Sequence, residues 1–421
     1  MSDLLSSTFT PPLWLRNGLT MTIYIATRAS QNWETKVLDP EPHYKETIFT
    51  GAGGVPIYGW VAIPENPRST IIGTYGITGS LDNQWFLRLL GRKAFAQGYA
   101  VVLFDWRAHG KTAQLSPTLT SDGLYEGEDF VHIAAQAKAM GCPAQFWFTG
   151  FSLGGQLALW AVKAAQELLG RDKVDKDDLG DLGDLGEIST ITTKSSPSPK
   201  SSPFPLSSSL TASSSLAASS RLPISASSPP KLLHPEEIGG AAVICPSLDS
   251  IRSLSYLVKY PSGRYIEQAI ARELKRLAWQ IYHAHPGAID PGAIERANSI
   301  WGFDRELVIE RLGFPSVEAY YEASSGLHIL PQLRKPTLII YAADDPLFDP
   351  AIVPDLQAAC FSNRDLDLIL TRYGGHVGYI SSIACQKRLG DPDPWWAWNR
   401  ILEWITRLGS GQQVARTPAS E

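Results

Sequence analysis

Short apolar runs alternate along this chain with longer stretches of helical periodicity, the pattern expected of βαβ units and a mostly parallel sheet. The runs predict strands over 69–75, 99–104, 146–151, 241–245, 337–342 and 366–371. Helical patterns lie over 83–97, 126–140, 153–169, 350–361 and 395–408. Two earlier apolar runs, 46–50 and 55–63, flank the glycine-rich Gly51 to Gly54 and predict an antiparallel hairpin at the sheet edge. Between 247 and 330 no convincing strand pattern occurs, whereas helical ones do, notably over 266–283. A helical block interrupting the strand order there should sit over the carboxyl ends of the strands as a cap.

One composition shift breaks this order. From 170 to 235 the chain passes through charged residues and three Asp-Leu-Gly copies into a Ser/Pro/Thr/Ala-rich tract. Such a stretch holds too little apolar side chain to offset its conformational entropy, so a disordered insertion is expected there. The organisation that follows is an N-terminal extension (1–45), a core in three pieces (46–169, 236–246 and 331–408), the insertion, the helical cap (247–330) and a flexible tail (409–421).

Composition then narrows the function. In the 421 residues, 37 Lys+Arg stand against 42 Asp+Glu, a formal charge of −5. That is too mild for binding built on neutralising many phosphates, so no nucleic-acid partner is expected. Four cysteines without C-x-x-C spacing read as reduced thiols. The uncharged run at 17–27 is too short to cross a bilayer, and no basic region precedes an apolar signal core; no transmembrane segment and a cytoplasmic location are the expectation. Leu13, Trp14, Leu15, Met21, Ile23, Tyr24 and Ile25 are read mainly as packing on the protein body, with peripheral membrane contact the alternative.

The chemistry-bearing pattern is Gly150-Phe151-Ser152-Leu153-Gly154, which leaves the apolar run at 146–148 and opens a helix. At such a strand-to-helix elbow the serine backbone is strained, and flanking glycines let the chain turn tightly enough to expose the hydroxyl. A serine needs a base, and His376, on the glycine-rich loop after the last strand, is the histidine placed to supply it. An acid to orient the imidazole should follow the strand at 337–342, where Asp344, Asp345 and Asp349 are the candidates. Asp345, just before Pro346, is favoured over Asp344, while Asp349 suits a helix N-cap; otherwise all three merely shape the turn. Backbone N–H groups of Ile77, in the loop after the first parallel strand, and of Leu153 are the candidate oxyanion donors. His283 and His285 lack partners at ligand spacing, so no metal is expected, and no phosphate-binding motif follows a strand. The tryptophans at 395, 396, 398 and 404 read as the apolar side of the last helix.

The order serine, acid, histidine is that of α/β-hydrolases. The chain resembles their YheT-like branch in Pro12 to Gly18, Tyr75 to Gly79, Asp105 to Gly110, Tyr125 with Gly127 and Asp129, and Gly150 to Gly155. The likeness continues in Gly313 to Ser316, Tyr320-Tyr321, Asp344 to Pro346 and Gly374 to His376. The resemblance implies an α/β-hydrolase fold, with a mostly parallel central sheet, helices on both faces and an inserted cap. It also implies a carboxylesterase or lipase without a cofactor, acting on a small-molecule or lipid ester through Ser152, Asp345 and His376. Two features depart from the family pattern: Tyr75-Gly76 stands where His-Gly is usual, and the Ser/Pro insertion has no counterpart. Acyl transfer on the same residues, or a catalytically silent binding protein on this fold, are the rival readings.

Overall fold

The structure, a computed structural model, describes residues 9–180 and 233–409, with the backbone alone described for 171–180. Most of the Ser/Pro-rich insertion expected over 170–235, and all but the first residue of the expected tail, lie outside the described residues.

Eight strands form one sheet: β1 (Lys45–Thr50), β2 (Pro56–Ala62), β3 (Thr70–Thr74), β4 (Ala100–Phe104), β5 (Phe146–Phe151), β6 (Ile238–Ile244), β7 (Thr337–Ala342) and β8 (Leu366–Thr371). Their spatial order is β1-β2-β4-β3-β5-β6-β7-β8. The β1–β2 and β2–β4 pairs are antiparallel, and every other pair is parallel. Every residue of β3, β4, β5 and β7 is buried, as a parallel sheet covered on both faces requires.

The helices used below are α1 (Gly18–Tyr24), α2 (Trp85–Ala96), α3 (Glu126–Ala139), α4 (Leu153–Gly180), α5 (Ser250–Leu257), α6 (Pro261–Ala284), α7 (Val317–Ser324), α8 (Ile352–Ser362) and α9 (Trp396–Gly409). Strand parity shows how they cover the sheet. Phe148 and Phe151 of β5 are three residues apart and so point to opposite faces. Phe148 meets Phe130 of α3 at a centroid distance of 5.3 Å. Phe151 meets Phe86 of α2 at 5.3 Å and Trp398 of α9 at 6.0 Å. The C-terminal tryptophans 395, 396, 398 and 404 are buried in this core.

Two elements extend beyond their expected bounds. Helix α4 runs to Gly180 rather than ending at 169; one glycine at 170 costs about 1 kcal/mol, not enough by itself to stop a helix. Strand β6 begins at Ile238 rather than 241, because a register shift opposite Phe146 and Trp147 accommodates the Gly239-Gly240 pair.

Between β6 and β7 the described chain is helical, and it builds a second apolar cluster from Leu274, Ile281, Phe303, Val308 and Tyr320, joined by Ala108, Ala113 and Leu119 of the sheet loops. The N-terminal extension also packs on the body: Leu15, Met21, Ile25 and Trp33 are buried, while Leu13, Trp14 and Ile23 stay exposed. Among the described residues, no helix is long and apolar enough to cross a membrane.

Candidate active site

Parallel strands deliver their following loops to one edge of the sheet, and four of these loops meet there. After β5 the backbone of Ser152 is forced to φ 54°, a left-handed conformation costly for a residue with a side chain. The turn is tight because the loop after β3 lies directly against it. A Cβ on Gly154 would fall 2.3 Å from the Tyr75 carbonyl oxygen, so only glycine permits this approach.

Three side chains from different loops form one hydrogen-bonded line. Ser152 Oγ lies 2.8 Å from His376 Nε2, and His376 Nδ1 lies 2.8 Å from Asp345 Oδ2. These partners assign the proton to Nδ1, leaving Nε2 to accept from the serine hydroxyl. Asp345 is buried, and its other oxygen accepts the Leu347 N–H at 2.9 Å, which fixes the carboxylate. The Phe348 ring meets His376 edge-on at 5.1 Å.

The neighbouring acids have other partners. Asp344 Oδ1 accepts the Gly375 N–H at 2.9 Å, bracing the histidine loop from its backbone. Burial pushes the Asp344 carboxyl up to about 6 against that hydrogen bond, and the adjacent Asp345 adds to the rise. Asp349 accepts the Ala351 N–H at 2.9 Å in the turn leading into α8.

The backbone N–H groups of Ile77 and Leu153 have no acceptor among the described residues. The loop carrying Ile77 is held from below. Thr78 N–H donates to His109 Nε2 at 3.1 Å, and His109 Nδ1 bonds the Arg107 carbonyl at 2.9 Å. Burial pulls the His109 pKa down to about 4, keeping it neutral and able to accept. Tyr75, where the family pattern has histidine, turns away from the cleft and donates to buried Asp105 at 2.6 Å; the Leu81 N–H donates to the same oxygen at 2.7 Å.

Ser152, Leu153 and Ile77 border a cleft of about 910 Å³, open solvent at its mouth included. Its wall is mostly apolar and comes from the helical block: Leu254 and Leu257 of α5, then Ile270, Leu274, Leu277 and Ile281 of α6, with Phe303 beyond.

Comparison with known proteins agrees with this architecture. A family model described as the α/β hydrolase fold matches residues 70–176. The Synechocystis sp. protein named "Putative esterase slr0264" is 49% identical over 398 residues, 94% of this chain and 94% of its own. The chain belongs to the YheT-like esterase family of the α/β-hydrolase fold. Escherichia coli "Putative esterase YheT" itself is 29% identical over 169 residues, 39% of this chain and 47% of that protein. Among solved structures, the Pyrococcus furiosus esterase Pf2001 matches with a TM-score of 0.44 at 16% identity, covering 87% of this chain and 91% of its own.

In this YheT-like chain the N-terminal extension also reaches the site, a contact that sequence reading missed. Thr22 Oγ1 accepts the His376 backbone N–H at 2.8 Å and donates to the Gly18 carbonyl at 2.8 Å. Helix α1 sits so close that a Cβ on Gly18 would lie 1.7 Å from the Asp344 carbonyl oxygen. Some 350 residues of intervening sequence hide this pairing. Thr22→Val removes the acceptor at nearly constant shape. The expected result is a fall in kcat of roughly tenfold or more with KM little changed, because a displaced imidazole would lose its alignment on Ser152 Oγ. Thr22→Ser should restore it. Equal kcat for Val and Thr would show that the loop is held without this bond.

Proposed function

We propose that the protein is a serine hydrolase that cleaves carboxylic esters through an acyl-enzyme. The observation that carries this reading is the unbroken Ser152–His376–Asp345 hydrogen-bond line at the mouth of an apolar cleft. Ser152 Oγ attacks the ester carbonyl while His376 Nε2 takes its proton, and Asp345 stabilises the imidazolium that forms. The Ile77 and Leu153 N–H groups receive the negative oxygen of the tetrahedral intermediate, with the N-terminus of α4 adding its partial positive charge. His376 then protonates the leaving alcohol. Water, deprotonated by the same imidazole, attacks the acyl-enzyme and releases the acid.

The helical block acts as a cap whose apolar wall holds the acyl chain. The aromatic Phe303 and Tyr321 line the cleft, as does Leu257. Tyr260, at the N-cap of α6, and Tyr265, in its first turns, are exposed instead. The main wall is aliphatic, from α6.

A screen of p-nitrophenyl esters from acetate to palmitate tests this reading, with turnover of at least one chain length expected and no turnover of any contradicting it. Ile270 is half-buried in the cleft wall, so Ile270→Trp can be accommodated there. It should lower kcat/KM for the longest accepted chain about tenfold while sparing acetate, since a few methylenes of lost pocket are worth that much. An unchanged chain-length profile would place the acyl chain elsewhere.

A further inference from the structure

The apolar cleft has one acidic end. Asp122, from the loop before α3, and Asp304, just after the helical turn Ile300–Phe303, both line the same cavity as Ser152. Each is more than nine-tenths buried, at 7% and 6% exposure. Among the described residues, neither forms an ion pair with a lysine, arginine or histidine. Two carboxyl groups are thus held largely out of water, within electrostatic reach of each other, in a wall that is otherwise mostly apolar. Burial, with Glu126 adding to it, pushes Asp122 up to about 7, and burial together with Asp122 pushes Asp304 well up. The pair therefore holds a proton near neutrality and offers both an acceptor and a donor.

Their protein partners leave capacity unused. Thr120 Oγ1 donates to Asp122 Oδ1 at 3.2 Å, the Tyr320 hydroxyl also serves the Asp122 carboxyl, and the Tyr321 hydroxyl donates to Asp304 Oδ2. Asp304 Oδ1 has no hydrogen-bond partner among the described residues. A second observation comes from α5 on another side of the cavity. Ser253, 5% exposed, also lines the cleft, and its Oγ has no partner. A buried hydroxyl left unpaired is costly unless something supplies the missing bond, and the Asp304 oxygen keeps unused accepting capacity beside the cleft. The site is also tied to the nucleophile: Gln156, one turn along α4 from Ser152, donates from Nε2 to the Asp122 carbonyl at 2.7 Å.

We propose that Asp122, Asp304 and Ser253 form a polar subsite for a hydroxyl group carried on the substrate's acyl chain, so that the preferred esters are those of hydroxylated fatty acids rather than plain ones. This rests on the ester-hydrolase reading of the same cleft. A hydroxyl fits the unused capacity, since it donates to Asp304 Oδ1 and accepts from Ser253 or from the protonated carboxyl. A plain chain of the same length leaves all of these groups unsatisfied, and sites built to bond a hydroxyl discriminate strongly against analogues that lack it.

The test compares kcat/KM for p-nitrophenyl esters of ω-hydroxy acids of about six to twelve carbons with the plain acids of equal length. The wild-type protein should prefer the hydroxylated ester about tenfold or more at one chain length of the series, as expected when one or two buried hydrogen bonds are gained that the plain chain cannot make. In Asp304→Asn, which keeps an acceptor for Tyr321, and in Ser253→Ala, that preference should shrink several-fold while turnover of the plain ester is maintained. Equal or better turnover of plain esters at every length by the wild type would overturn the inference and leave the hydrolase reading standing. So would a preference that survives both substitutions. Turnover of no ester in either series would instead overturn the hydrolase reading itself, and the inference with it.

Discussion

Replacing Ser152 by alanine is expected to lower ester turnover by 10⁴- to 10⁶-fold, on the order seen when a nucleophile acting as one unit with its base is removed. The loss should be nearly all in kcat, because in the proposed reaction Ser152 Oγ contributes bonding as the reaction proceeds and little to holding the chain, a task the proposal gives to the apolar wall from α6. Stability should hardly change. The Ser152 backbone is at φ 54° with either side chain, and the flanking contacts, among them the Ser152 N–H to the Ile244 carbonyl at 3.0 Å, belong to the main chain. Turnover within about tenfold of wild type at an unchanged melting temperature would move the chemistry to another residue.

The second large effect separates two adjacent acids. Asp345→Asn should reduce kcat by roughly 10⁴-fold, since an amide facing His376 Nδ1 favours the tautomer that leaves Nε2 unable to accept a proton. Asp344→Asn should cost about tenfold or less. Its Oδ1 serves only the Gly375 N–H, a bond that an asparagine oxygen can also accept. The reverse ranking would make Asp344 the orienting acid. Because both side chains sit on one turn and differ little in size, circular dichroism and melting of the two variants should match, so that a difference in rate reports chemistry rather than folding.

Strands with both faces buried announce themselves as apolar runs, and 146–151 and 337–342 coincide with β5 and β7; the run at 366–371 coincides with β8, an edge strand whose Asp367 is exposed. The start of β6 was hidden by Gly239 and Gly240, which weaken any strand pattern. They are there because Gly239 lies against the Trp147 ring, where a Cβ would come within 2.7 Å of it. At the site, Ser152 and His376 stand out because a strained elbow and a flexible loop each demand glycines that are visible locally. Asp345 was separable from Asp344 only by its place before Pro346, whereas the distances distinguish them directly, one facing the imidazole and the other a backbone N–H.

What was not legible depends on contacts distant in sequence. Thr22 meets His376 only because α1 folds back across the histidine loop. His109 braces the Ile77 loop only because burial against Trp106, stacked on it at 3.6 Å, keeps it neutral. Asp122 and Asp304 are ordinary loop and helix-end acids in the sequence; they become a pair through the packing of the helical block over the sheet. None of these carries a local signature, because neither hydrogen-bond partner constrains the residues beside it.

The central claim is that Ser152 is the residue that becomes acylated. The direct measurement is mass spectrometry of the protein after treatment with a fluorophosphonate, with the adduct mapped to a residue. A single stoichiometric adduct on Ser152, absent from Ser152→Ala and blocked by prior incubation with an ester substrate, is the result predicted. No adduct, or an adduct on another residue that persists in Ser152→Ala, would contradict it.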